Sequence, residues 1–286
     1  DVHHVRRLNS QAVEVCTTDG KTLLVDFYGD NIFRLFRDDN GGIVRMPEAT
    51  PPAVILAEGA RRKSGDIKIE DKADAVLLST SRITLSFDKQ TGALSVTDRK
   101  TNAVAVAHMS EPAFIDKKSA SITLDCRDGE FFYGGGVQNG RFSHRGEAIQ
   151  IVNTNNWTDG GVASPTPFYW STNGYGVMWH TFAPGKYDFG KAEGGKVTLT
   201  HETDYLDVFV MVDAEPVALL NDFYQLTGNP VLLPKFGFYE GHLNAYNRDY
   251  WKEDEGGIEF EDGKKYKESQ TDNGGIRESL NGELAG

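Results

Sequence analysis

Apolar and polar positions alternate in short runs over most of the chain, and turn residues separate the runs. Residues 12–17 and 22–27 flank Thr18-Asp19-Gly20-Lys21, which predicts two strands around an Asp-Gly turn. Residues 31–37 alternate Ile, Phe, Leu and Phe with Asn and Arg, as a strand with one wet face does. Residues 82–88 and 93–98 flank Lys89-Gln90-Thr91-Gly92 in the same way. Long helical periodicity is absent from this part, so the pattern predicts an antiparallel β-sandwich.

The alternation continues through 168–171 and 175–180, two aromatic-rich runs joined by Thr172-Asn173-Gly174, a strong hairpin signal. Residues 197–202 and 205–212 read as the strands that close the sandwich. The period then changes: residues 215–227 place apolar side chains at helical spacing, with Pro216 suited to a first turn and Gly228-Asn229-Pro230 as a stop. A short helix ended by proline reads as a domain junction. It divides the chain into 1–227, a mainly β domain, and 228–286, a new beginning.

Composition narrows the partners. Of 286 residues, 39% are hydrophobic and 11% aromatic, enough for a real core, while a net charge of −12 opposes binding to nucleic acid or an anionic membrane surface. A neutral ligand such as a sugar remains compatible. No apolar run approaches the roughly 18 residues of a membrane span. No signal peptide stands at Asp1, which is compatible with numbering that starts after a removed export signal; a secreted or periplasmic location is the expectation. Cys16 and Cys126 are too few for a disulfide framework and lack metal-ligand spacing. They are read as small buried hydrophobes, with a bond between them as the alternative.

Two stretches bear on chemistry. Glu130-Phe131-Phe132-Tyr133-Gly134-Gly135-Gly136-Val137-Gln138 contains three consecutive glycines, but no Lys-Ser/Thr pair or helix start follows, which argues against a phosphate cradle. The alternative is backbone forced into close approach or positive φ beside an aromatic layer. His144, just downstream, is either an acid or base or, as the preferred reading, a hydrogen-bonded structural histidine. The second stretch is residues 153–161, rich in Asn, Thr, Asp and Gly, which leads into the aromatic hairpin and contains Trp157 and Asp159. An aspartate accepts paired hydrogen bonds from vicinal hydroxyls, and an indole offers an apolar face to a pyranose ring. Asp followed by Gly-Gly is also ordinary turn chemistry, so both roles stay open for Asp159.

Trp157-Thr158-Asp159-Gly160-Gly161, then Thr166-Pro167-Phe168-Tyr169, then Gly174-Tyr175-Gly176-Val177 resemble in order and spacing the N-terminal region of glycoside hydrolase family 31, the α-glucosidase and α-xylosidase family. The residues just before Asp159 depart from the family's Trp-Asn-Arg-Asp-Gly-Gly form. Tyr133-Gly134-Gly135-Gly136 resembles the family's Phe-Tyr-Gly-Phe-Gly-Glu segment, and residues 231–241 resemble the start of its catalytic (β/α)8 barrel, which implies a first barrel strand near 236–240. The resemblance implies a galactose mutarotase-like sandwich followed by the truncated start of that barrel. It implies retaining hydrolysis or transglycosylation of α-linked glucosides, with an α-linked gluco-oligosaccharide as partner and no metal or organic cofactor.

A barrel of this kind needs about 250 residues, so the remainder of the barrel is an expected partner and the chain alone is expected to be inactive. The two carboxylates of a retaining mechanism are expected downstream, and no catalytic residue is assigned here. The loop holding Trp157 and Asp159 is implied to line the subsite for the leaving or acceptor sugar. His242 and Asn244 lie in the run 237–249, which looks most like enzymes acting on α-1,3/α-1,6-linked glucans, and are implied sugar contacts. Residues 252–286, acidic, Gly-rich and poor in apolar side chains, are expected to be a solvated, mobile excursion. The alternative for the whole is a free-standing carbohydrate-binding or mutarotase-like module.

Overall fold

The computed structural model describes residues 1–43, 55–154, 160–238 and 251–268. Four strands open the chain: β1 (Val2–Arg7), β2 (Ala12–Thr17), β3 (Thr22–Gly29) and β4 (Ile32–Asp38). Seven follow: β5 (Lys68–Asp71), β6 (Ala75–Ser79), β7 (Ile83–Asp88), β8 (Leu94–Asp98), β9 (Val104–Met109), β10 (Ala113–Ile115) and β11 (Ser119–Asp125). The rest of the sandwich is β12 (Phe132–Gln138), β13 (Ala148–Ile151), β14 (Val162–Ser171), β15 (Tyr175–Trp179), β16 (Gly185–Phe189), β17 (Lys196–His201) and β18 (Tyr205–Val212). A helix of twelve residues, α1 (Pro216–Thr227), comes after them.

These strands form two antiparallel sheets. The first runs β1-β2-β3-β4-β18-β15-β14-β12, and the second runs β13-β16-β17-β11-β9-β8-β7-β6-β5 with β10 on β11. The expected sandwich is therefore the observed one, and the alternation explains it. On β18, Leu206, Val208, Val210 and Val212 point into the inter-sheet core, while Asp207, Phe209 and Met211 point out of it. A shift of one residue in register would exchange the two sets, so the burial pattern itself fixes the pairing. The expected hairpin is β14–β15, with Phe168 opposite Met178 and Trp170 opposite Gly176. Its three-residue loop ends in Gly174 at φ +85°, the left-handed position such loops give to glycine.

The outward face of the first sheet is not left to solvent in its middle. Helix α1 lies over it, burying Leu219 and Leu226 beside Phe168, Phe209 and Met211. Phe223 stacks on Phe168 at 4.3 Å. Pro216 stands in the first turn as expected, and Gly228 ends the helix with its N–H on the Tyr224 carbonyl at 2.8 Å. Beside this patch the same face holds a buried ionic group. Arg34 makes a two-pronged pair with Asp207, Nε to Oδ1 at 2.6 Å and the second prong at 2.7 Å. His180 Nδ1 meets the same carboxylate at 2.9 Å. All three side chains are almost wholly buried, Asp207 completely.

Three expectations change. Both cysteines are free thiols, and both are half-buried rather than buried; Cys16 alternates with the core residues Val13 and Val15 and so sits on the outward face of β2. Residues 235–238 form a single 3-10 turn where a strand was expected. Pro234 accepts from Gly237 N at 2.8 Å and closes that turn, and no strand among the described residues offers it a ladder. Residues 251–268, expected as a mobile excursion, are an antiparallel hairpin of β19 (Trp251–Glu259) and β20 (Lys265–Glu268). Phe260 packs edge-on against Tyr266 at 5.0 Å, Gly263 turns the chain at φ +73°, and Lys264 pairs with Glu253 at 3.0 Å. Most of its described side chains are exposed, so the polar composition did signal solvation. The chain divides into two compact units, 1–230 and 231–286.

Candidate functional site

The loop that the sequence singles out springs from the margins of both sheets. It leaves β13, the end strand of the second sheet, and returns into β14, next to the end strand of the first. Its roots are tied. Thr154 Oγ1 donates to Val162 O at 3.3 Å. Gly160 N donates to Asn139 O at 2.9 Å, and Asn139 N returns a bond to Gly161 O at 3.0 Å. Gly160 sits at φ +76° with open space where a Cβ would be, so glycine is needed there for the backbone angle and not for room. Trp157 and Asp159 lie outside the described residues, as do His242 and Asn244.

The described part of β14 explains how such a loop is presented. Pro165 and Pro167 lack the N–H a ladder requires, and β15 pairs with β14 only from Phe168 onward. The first half of β14 is left with β12 as its one partner. On that side the three glycines do what close approach demands. A Cβ on Gly134 would lie 2.7 Å from Phe168 O, and one on Gly136 would lie 2.1 Å from Ser164 O. All three have positive φ, and the β12–β14 register slips between Gly134 and Gly136. The close-approach reading of the glycine run holds, since it lies within a strand and no helix follows it. Small-ligand pockets run from about 300 to 1,000 Å³; a cavity of about 490 Å³ lies against the loop's roots, walled by Ile151, Asn153, Ser164, Pro165, Thr181 and Phe182. Phe182 is 63% exposed there.

Below the glycine run the site is anchored by buried polar groups that the sequence did not foretell. Glu130 accepts from Arg127 N at 2.8 Å and from Ser171 Oγ at 2.5 Å. Arg145 donates to the carbonyls of Arg127 and Glu130 at 2.8 and 2.6 Å. Tyr169 and Tyr175 lie at the same cluster, where burial holds both phenols well above their ordinary range. His144 is 1% exposed; its Nε2 meets Gly134 O at 2.8 Å and its ring stacks near Phe189 at 5.8 Å. A carbonyl can only accept, so Nε2 bears the proton. Burial pushes the imidazole below its ordinary value, and it serves the neutral, structural role preferred from sequence. Among the described residues no group of three or more His, Cys, Asp or Glu side chains is placed to hold a metal ion. No helix among them is long and apolar enough to cross a membrane.

A two-sheet mutarotase-type sandwich with a polar loop spanning the sheet margins is the class that fold and site define. Residues 22–188 match the Glycosyl hydrolase 31 N-terminal galactose mutarotase-like domain, and the chain belongs to that family. An alpha-xylosidase of Emericella nidulans is 29% identical over 148 residues, which is 50% of this chain and 19% of the relative. Alpha-xylosidase XylQ of Lactiplantibacillus pentosus is 26% identical over 199 residues, 68% of this chain and 24% of the relative. Among solved structures, a GH31 dextranase of Flavobacterium johnsoniae complexed with isomaltotriose superposes with a TM-score of 0.72 at 16% identity, over 82% of this chain and 29% of that one. A GH31 alpha-xylosidase from a soil metagenome complexed with xylose gives 0.65 at 17% identity, over 81% and 36%. At those identities the structural likeness shows the fold. The chain spans 19% and 24% of the two curated relatives.

Proposed function

We propose that the chain is the N-terminal portion of a retaining α-glycosidase, with residues 1–227 as its sandwich and 228–286 as the beginning of its catalytic barrel. The reading is supported by the family match over 22–188, which includes the loop and both of its roots. In it, residues 153–161 lean over the reacting centre and line the subsite for the leaving or acceptor sugar. Asp159 accepts from vicinal hydroxyls, Trp157 stacks on the ring, and His242 and Asn244 contact the same saccharide. The two carboxylates that perform the double displacement belong to parts of the protein outside 1–286, so the chain alone turns over no substrate.

The substrate is an α-linked glucoside on the resemblance of the 237–249 run. An α-xyloside is the second reading, favoured by the name that both curated relatives bear. Assaying the longer protein on aryl α-glucosides and aryl α-xylosides separates the two, because the pockets differ by the room for one hydroxymethyl group. In the longer protein Asp159→Ala weakens disaccharide binding by about 1–3 kcal/mol, the range for hydrogen bonds to a charged group, and leaves the melting temperature in place. A large fall in melting temperature with unchanged kinetics would return Asp159 to turn chemistry. Turnover of an aryl α-glucoside by the purified 1–286 chain, lost in Asp159→Asn, would overturn the whole reading.

A further inference from the structure

A second cavity lies away from the loop's roots, on the outward face of the first sheet between α1 and the end strand β12. Its volume is about 640 Å³, within the range of sites that take a small ligand. Three aromatic rings adjoin there. Tyr133 on β12 and Trp170 on β14 stack at 4.6 Å with 28° between their planes. Phe142 meets Tyr133 edge-on at 5.4 Å and is itself 87% exposed, although the core is large enough to bury a ring of that size.

The rim has hydrogen-bonding capacity that the fold does not consume. Gln138 Nε2 donates to Gly135 O at 2.9 Å and to Gln150 O at 3.0 Å. Two carbonyls on one side force the amide nitrogen to that side, which turns Oε1 the other way, with no donor on it among the described residues. Arg141 gives one guanidinium nitrogen to Glu147, a contact that balances its charge and, among the described residues, leaves its remaining N–H groups unengaged. Thr172 Oγ1 accepts from Phe131 N at 3.0 Å, so its own proton is available to donate.

We propose that this cleft is a carbohydrate-binding site for a pyranose unit of a neutral oligosaccharide, with the Trp170–Tyr133 stack and Phe142 as its platform and Gln138 and Arg141 as its hydrogen-bonding rim. Such a ring presents an apolar C–H face and an edge of hydroxyls that both donate and accept. The cleft supplies flat aromatic faces, one free acceptor and free donors side by side. An anionic ligand fits worse, because the one guanidinium on the rim is already neutralised by Glu147. The site is built from residues of 133–172 and is independent of the 153–161 loop reading: either stands if the other fails.

The test is calorimetric titration of the 1–286 chain with maltotriose, isomaltotriose and cellotriose, on wild type, Arg141→Ala/Phe142→Ala and Asp159→Ala. Both residues of the double variant are on the surface, so its melting temperature stays that of wild type, and a matched melt confirms it. At least one trisaccharide binds the wild type, the double variant weakens it about tenfold or more, the change that 1.4 kcal/mol makes, and Asp159→Ala leaves it unchanged. No binding by any of the three sugars overturns the proposal, as does binding that survives in the double variant. Loss in Asp159→Ala with retention in the double variant assigns the signal to the loop and also overturns it.

Discussion

The most exposing perturbation of this fold is Asp207→Asn. Asp207 is fully buried and accepts from two guanidinium nitrogens of Arg34, at 2.6 and 2.7 Å, and from His180 at 2.9 Å. Burial works against the Arg34 charge, and the facing Asp207 carboxylate more than offsets it, so the guanidinium is held above its ordinary pKa. Asparagine keeps the shape but replaces one acceptor oxygen by an NH2 group. That group then faces N–H donors, and the buried Arg34 charge is left without its counter-charge. Removing one partner of a buried pair costs about 3–5 kcal/mol, and the same follows from Coulomb attraction of about 4 kcal/mol at 4 Å with an effective dielectric of 20. Urea unfolding at pH 7 should show that loss for Asp207→Asn. Arg34→Met/Asp207→Leu should recover most of it, since an apolar pair of similar volume needs no compensating charge. Because the group is buried, raising salt should change little. A loss under about 1 kcal/mol for Asp207→Asn, or single-variant losses that simply add in the double variant, would refute the coupling argued here.

A buried histidine and a half-buried aspartate give opposite pH slopes. His201 is fully buried, donates from Nδ1 to Ala183 O at 2.9 Å and accepts at Nε2 from Tyr187 at 2.9 Å; burial lowers its pKa to about 4. The unfolded chain takes that proton first, so stability falls as pH drops from about 6.5 to about 4, by about 3 kcal/mol. A His201→Gln variant should flatten this part of a pH series of melts, and an unchanged slope would remove His201 from the account. Asp222 on α1 is pushed up to about 7 by burial and then by Asp213, against an opposing hydrogen bond from Asn31. Its folded form holds the proton longer than the unfolded chain, so this contribution declines as pH rises from about 4 to about 7. Asp222→Asn should raise the melting temperature at pH 8 relative to wild type and hardly at all at pH 4. Gly136→Ala and Gly160→Ala form a matched pair at φ +81° and +76°: the second pays the backbone term of about 1–2 kcal/mol, and the first loses more, because its Cβ would meet Ser164 O. Equal losses in urea would show that β12 does not need the close approach.

What sequence alone determined was whatever depends on neighbours along the chain. Period-two alternation placed β2, β4, β7, β8 and β18 almost to the residue, since each strand must send alternate side chains to one core. Asn-Gly and Asp-Gly fixed the turns, because only glycine accepts positive φ cheaply. Pro216 and Gly228 bounded α1 for the same local reasons. The family motifs, too, are linear, so Trp157 and Asp159 stood out before any fold was known. At 251–268 composition signalled solvation but not the hairpin, in which two polar strands pair across Gly263 with Phe260 against Tyr266. Tertiary structure alone decided what meets across distance. Arg34 and Asp207 are 173 positions apart, and nothing local marks either as a partner for the other. Likewise Tyr133 and Trp170 read as two ordinary core aromatics on separate strands. Only the pairing of β12 with β14, Tyr133 opposite Trp170, stacks the two rings on the outward face beside α1.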